Sequence, residues 1–477
     1  MPQIFIDGQP FQARTEQTVL EVADENGIYI PRLCWHKKLS IAGNCRICVV
    51  QVEGRSWVEI SCNMPVSEGL RVLTDSELVR EHRKVTMQFL TLNHPVDCGI
   101  CDKAGECTLQ DYHVAYNGQA SISREPKVVA SKFYSLSNRI TLDNERCVLC
   151  TRCVRFTREV SKSHALGVRN RGDHSLIRPA DDRPLDADPY SDNIVDICPV
   201  GALLSKSFLY KDRVWYLKAT PSVCPGCERG CNIDIWHRKP EWQVKALDPK
   251  LNREIARVTP RENDAVNGPW VCNKARDLAT LLERRRADTP MLKGREVALD
   301  EALAAARKLI EGSLRPVALV SSWASNEELG AFGRTLAGRF TCFVKDDHVA
   351  QPGEVVQDDL LIRADKNPNG RTARSMFGNA PVSFPDNTDL VLVWGEGFDF
   401  ATLPRGAKVI FMNAFLAPEN GHADVFLPTS VQTERDGHYT NFEGVTSAFK
   451  ACFPRSAGVV DAEWLFDRLA QPEVVTP

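Results

Sequence analysis

Apolar residues change their rhythm several times along this chain, and each change predicts a different element. Near the start, Gln3–Ile6 and Phe11–Arg14 alternate across Asp7-Gly8, the pattern of two strands joined by a tight turn. Thr18–Asn26 fits a short helix stopped by Gly27, and Ile47–Val52 and Trp57–Ser61 alternate again around Glu53-Gly54. From Ser76 to Leu92 the period lengthens to that of a helix. Leu78, His82, Val85, Phe89 and Leu92 then fall on one face, Thr74 and Glu77 have capping-box spacing, and Pro95 stops the run. Beyond Leu292 the pattern becomes that of alternating helices and buried strands. Glu301–Ile310 reads as an amphipathic helix, Ser325 and Glu328 as a capping box, and Val317–Ser321, Phe343-Val344, Leu390–Trp394 and Val409–Met412 as buried strands. Gln351–Asn387, polar and rich in Pro, Asn and Asp, is expected to be a long surface loop.

Composition narrows the function classes. The 477 residues suggest several domains, with 43% hydrophobic and 25% charged residues and a net charge of −3, so no broad basic surface for nucleic acid is implied. No apolar run reaches the ~18 residues of a membrane span. The opening MPQIFIDGQPF lacks the features of a secretory signal, so a cytoplasmic location is expected. The 17 cysteines change the picture most. Fifteen lie between Cys34 and Cys272 in four groups, and only Cys342 and Cys452 lie beyond. An odd count in a chain expected to stay in the cytoplasm points to metal binding rather than to a disulfide framework.

The spacing of each group points to a type of centre. Cys147, Cys150 and Cys153 in ERCVLCTRCVRF, completed by Cys198 in ICPVGAL, form the triplet-plus-remote-cysteine arrangement that wraps a [4Fe–4S] cubane. Cys34, Cys45, Cys48 and Cys62 follow C-x10-C-x2-C-x13-C, close to the plant-type [2Fe–2S] spacing but with a longer first gap. Gly43 lets backbone N–H groups approach the sulfides. NHPVDCGICDKAGEC supplies Cys98, Cys101 and Cys107, and His94 stands where a fourth ligand is missing; neutral imidazole suits iron. His113, in the following helical stretch, is the weaker candidate. Cys224, Cys227 and Cys231 in VCPGCERGC with Cys272 in GPWVCNKAR make a fourth donor set, C-x2-C-x3-C-x40-C. Structural zinc is the rival at these sites, although zinc fingers usually present paired Cys-x2–4-Cys ligands. Arg152, Arg155 and Arg158 crowd the triplet. A solvated face is the expected reading, against one in which they offset cluster charge and dock a neighbouring acidic subunit. Cys342 reads as an inert strand thiol, and VWGEGFDF does not match a dinucleotide fingerprint.

These motifs together resemble the large iron–sulfur subunit of respiratory complex I, NADH:quinone oxidoreductase. The resemblance is close over 1–290 and loose beyond. There, Ala423–Gly444 (ADVFLPTSVQTERDGHYTNFEG) is similar to a signature of the molybdopterin-oxidoreductase fold, and VCPGCERGC to the cluster domain that opens that fold. The resemblance implies an α+β fold first, with a β-grasp ferredoxin domain over 1–75. Small [4Fe–4S] domains follow over 76–125, 126–215 and 216–288, then a shortened α/β molybdopterin-oxidoreductase-like domain over 289–477 without an active-site cofactor. It also implies most of the case for His94 as a ligand. The implied role is an electron wire without catalytic residues, holding one [2Fe–2S] and three [4Fe–4S] clusters. Its partners would be a flavin/NADH-binding subunit and other iron–sulfur subunits, at the cytoplasmic side of the inner membrane. The electron-transfer subunit of an NAD-linked formate dehydrogenase or hydrogenase is the alternative, and a zinc scaffold for assembly is a third reading.

Overall fold

The computed structural model describes residues 1–242, 254–282, 284–348 and 353–471. Two compact units are present, Met1–Tyr216 and Leu217–Pro477. Among the described residues no helix is long and apolar enough to cross a membrane.

The first unit opens with strands β1 (Gln3–Ile6) and β2 (Gln9–Gln12), helix α1 (Val19–Glu25), and strands β3 (Val49–Val52), β4 (Val58–Ile60) and β5 (Arg71–Leu73). They make a five-stranded sheet in the order β2-β1-β5-β3-β4, with β1 and β5 parallel and the other pairs antiparallel. Ile4, Ile6, Val50 and Val72 of the sheet pack on Val19, Leu20, Val22 and Ala23 of α1. Thr18 caps α1 by accepting from the Glu21 amide while Glu21 returns to the Thr18 amide, so two orphan donors are satisfied at once. The helix ends where Gly27 turns left-handed at φ +73°.

Helix α2 (Glu77–Thr91) departs from the sequence reading in two ways. Ser76, not Thr74, caps it, accepting from the Val79 amide. The buried face is Val79, Arg83 and Met87, whereas the expected face points out, with Val85 and Phe89 49% and 72% exposed. The reason is Arg83. Its stem is buried, its guanidinium donates to the Val49 carbonyl at 3.0 Å and sits over the Tyr116 ring, and a charged letter thereby conceals a packed position.

After α2 come α3 (Thr108–Tyr112), β6 (Tyr134–Ser135), β7 (Ile140–Leu142), α4 (Arg152–Glu159), β8 (Leu166–Arg169), β9 (Leu176–Pro179), α5 (Asn193–Asp196) and β10 (Leu203–Ser205). Strands β10, β7 and β6 form a small antiparallel sheet. Its role is positional, because β7 leads into the Cys147 loop and β10 leads away from Cys198.

The second unit begins with the antiparallel strands β11 (Leu217–Val223), β12 (Asn232–Arg238) and β13 (Arg257–Pro260), then α6 (Asn273–Arg276) and α7 (Leu278–Leu282). A seven-stranded sheet follows, built from β14 (Met291–Leu292), β15 (Arg295–Glu296), β16 (Pro316–Val320), β17 (Thr341–Val344), β18 (Leu390–Trp394), β19 (Lys408–Asn413) and β20 (Val425–Pro428). Its order is β15-β14-β20-β19-β18-β16-β17, and β17 to β20 run parallel through β16. Both faces are buried, which is why the strands read as continuous apolar runs. Ala318, Val320, Leu392, Trp394, Ile410 and Met412 meet Leu303 of helix α8 (Leu299–Gly312), Phe332 of helix α9 (Asn326–Thr335) and Phe466 of the helix Ala462–Ala470. Alternate residues Val317, Leu319, Val391, Val393 and Phe411 pack on Phe398, Phe400 and Leu403 on the other side. The Ser325–Glu328 capping box starts α9.

The expected surface loop Gln351–Asn387 is not one. Its first two residues lie outside the described residues, but a further helix, Gly370–Phe377, lies within it, and Leu361, Ile362, Asn367 and Asn369 are buried. Its polar letters are absorbed by internal bonds, such as Asn369 Nδ2 to the Ala324 carbonyl at 2.8 Å and Asn367 Oδ1 accepting from Ser322.

Candidate metal centres

Cys34, Cys45, Cys48 and Cys62 are all buried, and they form two close pairs. Cys45 shares a hydrogen bond with Cys34, and Cys62 with Cys48. The bond from its partner holds the Cys34 thiol down at about 5 and the Cys48 thiol down at about 7, and pushes Cys45 and Cys62 up in turn. Two sulfur pairs are what two bridged irons require. The loop between them is strained to suit. Gly43 and Arg46 are left-handed at φ +64° and +60°, and between and beside them the Asn44 and Cys45 amides donate to the Cys34 sulfur and the Ile47 amide to the Cys45 sulfur. Ser61 closes the loop by donating through its amide and hydroxyl to the Cys48 carbonyl.

Cys147, Cys150, Cys153 and Cys198 line one small, apolar cavity with Leu142, Ile177, Val200 and Leu203. Leu149 and Thr151 lie between the ligands, and both are left-handed, at φ +50° and +57°, in residue types that seldom adopt this. The Leu149 N–H donates to Cys147 Sγ at 3.4 Å. Burial and the neighbouring sulfurs push Cys150 up to about 11 and Cys147 and Cys153 further. Burial thus favours the protonated form of Cys147, Cys150 and Cys153, and a bound metal is what would hold them as thiolates.

His94, Cys98, Cys101 and Cys107 line a second cavity together with Asp97, Arg146 and Gly201. His94 Nδ1 is buried without a hydrogen-bond partner among the described residues, and burial holds the ring down at about 4, hence neutral at pH 7. A neutral ring with an orphaned nitrogen facing three cysteines fits a ligand. His113 lies elsewhere, its Nδ1 3.2 Å from Asn117 Nδ2. Arg146, 2% exposed, ties the site down through Asp97 and Asp143 at 3.0 and 3.2 Å. Arg213 donates to the Cys101 carbonyl at 2.6 Å.

These two cavities have a wall in common. Cys198, Val200, Ala202 and Leu203 face the Cys147 cavity, and Gly201, between them, faces Cys101. A Cβ placed on Gly201 would fall on the Cys101 sulfur. The Cys-Pro-x-Gly text after the fourth ligand was the sequence signal for this apposition, and sequence reasoning missed it along with Arg146.

The arginines of α4 also differ from expectation. Arg158 is solvated, but Arg155 is 4% exposed and Arg152 half-buried. Both reach across to the first cysteine loop.

In the second unit, Cys224, Cys227 and Cys231 lie in the turn between β11 and β12, and Cys272 is the N-cap of α6. Gly226 N donates to Cys224 Sγ at 3.4 Å, repeating the Leu149–Cys147 arrangement. Burial and the adjoining thiols raise Cys224 and Cys231, and Cys272 to about 11, the shared influence marking the four as neighbours. The Ala423–Gly444 stretch is the brace for this turn. Gln432 donates to Ser222 Oγ and the Val223 carbonyl, Phe442 N to the Glu228 carbonyl, and Asn441 Nδ2 to the Arg229 carbonyl. Beside Cys224 is a cavity of about 370 Å³ at the carboxyl ends of β16 and β18. Cys342 and Cys452 join no such group. Burial raises them to about 11 and about 12.

Among the described residues no three His, Cys, Asp or Glu side chains converge on a point that one metal ion could share. The donors of the His94 and Cys147 sets line small cavities. The donor chemistry, the amides that donate to sulfur and the orphaned imidazole fit iron–sulfur clusters.

Four family models match the chain in succession. They are the 2Fe-2S iron-sulfur cluster binding domain over 2–77, the NADH-ubiquinone oxidoreductase-G iron-sulfur binding region over 83–121, the NADH-quinone oxidoreductase subunit 3 ferredoxin-like domain over 137–204, and the molybdopterin oxidoreductase Fe4S4 domain over 217–284. The chain is similar to the G subunit of NADH-quinone oxidoreductase. That subunit from Rickettsia typhi is 36% identical over 307 residues, 64% of this chain and 43% of the relative. The mitochondrial NADH dehydrogenase [ubiquinone] iron-sulfur protein 1 of Solanum tuberosum is 39% identical over 293 residues, 61% of this chain and 38% of the relative. The chain thus matches about two fifths of the length of these relatives. A solved chain of an NAD+-reducing [NiFe]-hydrogenase is 31% identical over 45% of this chain and 91% of its own, with a TM-score of 0.41, too slight a likeness to bear on the fold. Ferredoxin-like [2Fe–2S] and [4Fe–4S] domains and a molybdopterin-oxidoreductase-like domain are therefore present.

Proposed function

We propose that this chain is the electron-transfer subunit of an NADH:quinone oxidoreductase, peripheral in a membrane complex on its cytoplasmic side. It would hold one [2Fe–2S] cluster on Cys34, Cys45, Cys48 and Cys62. Three [4Fe–4S] clusters would sit on His94, Cys98, Cys101 and Cys107, on Cys147, Cys150, Cys153 and Cys198, and on Cys224, Cys227, Cys231 and Cys272. The segment division 1–75, 76–125, 126–215, 216–288 and 289–477, with a β-grasp first domain, belongs to the same reading.

The observation that carries it is the wall between Cys198 and Leu203. Two donor sets far apart in sequence are held back to back across one strand of backbone, an arrangement that serves transfer between neighbours and nothing else evident in the fold. When bound, the clusters supply one-electron transfer. The chain's part is to hold the donors at fixed spacing, turn amides toward sulfur and exclude water. No side chain is needed as acid, base or nucleophile. The names of the relatives favour this reading over a formate dehydrogenase or hydrogenase subunit.

In this reading NADH is oxidised on a flavin-bearing partner. Mixed anaerobically with such a subunit, the chain is expected to lose its visible cluster absorbance when NADH is added, and to keep it when NADH is added alone. Bleaching by NADH without the partner, or by formate with it, would contradict the proposal.

A further inference from the structure

Five side chains fasten the first cysteine loop to the third. Arg155 donates to the carbonyls of Cys34 at 2.6 Å, Cys150 at 3.1 Å and Ser40. Arg152 donates to the carbonyls of Trp35 at 2.6 Å and Ile197 at 3.1 Å. Asn44 Nδ2 donates to the Leu149 carbonyl at 2.9 Å, and Glu159 accepts from the Ser40 amide and hydroxyl. The bonds to Cys34, Trp35 and Ser40, that from Asn44 and those from Ser40 to Glu159 join the chain around Cys34–Cys45 to the chain around Cys147–Glu159, while those to Cys150 and Ile197 tie the two arginines to the third donor set itself.

The two guanidiniums are unusual in what they lack. Neither has an ion-pair partner among the described residues. Glu159 pairs with Arg158, on the solvated side of α4. Arg155 and Arg152 each keep a buried Nε without a hydrogen-bond partner among the described residues. Arg152 lines the cavity that Cys147, Cys150, Cys153 and Cys198 surround. A buried cation that meets only carbonyl dipoles is costly, and burial indeed pulls the Arg155 guanidinium below its ordinary range. Its nearby sources of negative charge are, in decreasing order, the sulfurs of Cys150 and Cys34, one from each set, and then the Glu159 carboxylate.

We propose that Arg155, with Arg152 beside it, is a positive bridge shared by the [2Fe–2S] site and the Cys147 [4Fe–4S] site. It fastens the two ligand loops at fixed separation, and its charge raises the reduction potential of both clusters. The inference rests on the cluster assignment proposed above. Arg155 is a positioning residue, since its contacts are with the carbonyls of ligand residues. A charge within one residue of two thiolate sets favours the more negative, reduced state of each. Each cluster's stability then depends on the same side chain, so the pair is tuned together rather than separately.

The test uses the full chain reconstituted anaerobically with iron and sulfide. Potentials are read by EPR-monitored redox titration, and spacing by the dipolar broadening between the two reduced clusters. Arg155→Gln is expected to lower both potentials, by roughly tenfold in each reduction equilibrium, about 59 mV for one electron. Arg155→Lys keeps the charge but not the three-carbonyl fork, so its potentials stay near wild type while the broadening changes. Arg152→Gln repeats the joint fall, and serves should Arg155→Gln fail to load iron. Arg158→Gln, on the exposed side of the same helix, leaves both potentials in place. A merely structural role would make the Gln and Lys variants alike. Equal shifts in those two, a shift in one cluster only, or an equal shift in Arg158→Gln would overturn the bridge. Wild-type protein without both EPR signals would instead overturn the cluster assignment itself.

Discussion

Gly201→Ala is expected to strip the His94 centre of its metal while the other three sets still load. Gly201 has an ordinary backbone angle, so the substitution fails for want of space and not of conformational freedom. The added carbon would fall on the Cys101 sulfur and within 3.2 Å of Lys103 Cβ. Neither wall can withdraw. On one side, Thr108 N donates to the Pro199 carbonyl at 3.1 Å, Asp143 N to the Ala202 carbonyl at 2.8 Å, and Leu203 is paired with Leu142 in the sheet. On the other, Arg213 holds the Cys101 carbonyl, and Asp102 accepts from Tyr210 N at 2.7 Å. A displaced Cys101 sulfur leaves a cubane one ligand short. Iron analysis should therefore show a loss of about four atoms per chain. Full iron content with an unchanged EPR spectrum would mean that the two sites do not adjoin as described.

His94 carries the second large effect. Its imidazole is buried, neutral and orphaned at Nδ1, a condition that costs roughly 1–3 kcal/mol unless a partner is supplied. His94→Ala is expected to leave a three-iron cluster or none, a loss of about one to four iron atoms. His94→Cys is expected to restore four irons at a lower potential, because a thiolate adds the negative charge that imidazole lacks. Both are read by iron analysis and EPR titration. An unchanged spectrum in His94→Ala would place the fourth ligand elsewhere.

The donor sets were legible because their information is local. A Cys-x2-Cys loop carries its own spacing, and Thr18, Ser325 and their glutamates write a cap within four residues. What escaped was everything that depends on a distant partner. The buried face of α2 was misread because Arg83 occupies a core position through its stem and one carbonyl bond. The 351–387 stretch looked solvated because polar residues within 353–387 such as Asp358, Asp365, Asn367 and Asn369 are satisfied internally. Arg155 looked like a surface charge because the three carbonyls that hold it come from Cys34, Ser40 and Cys150, two of them more than a hundred residues away. Gly201 gave no hint that its missing side chain makes room for a sulfur.

The molybdopterin-type signature shows the same division. Its letters marked a fold, whereas the structure assigns them work: Gln432, Asn441 and Phe442 brace the Cys224–Cys231 turn within the second unit. The left-handed backbone at Arg46, Leu149 and Thr151 is likewise invisible in composition, as is the bond from the Leu149 amide to Cys147 Sγ.

Anaerobic reconstitution followed by iron, acid-labile sulfide and zinc analysis tests the central claim most directly. The account predicts about 14 iron atoms per chain, matching sulfide from one [2Fe–2S] and three [4Fe–4S] clusters, and little zinc. Roughly four zinc atoms per chain with no sulfide would contradict it.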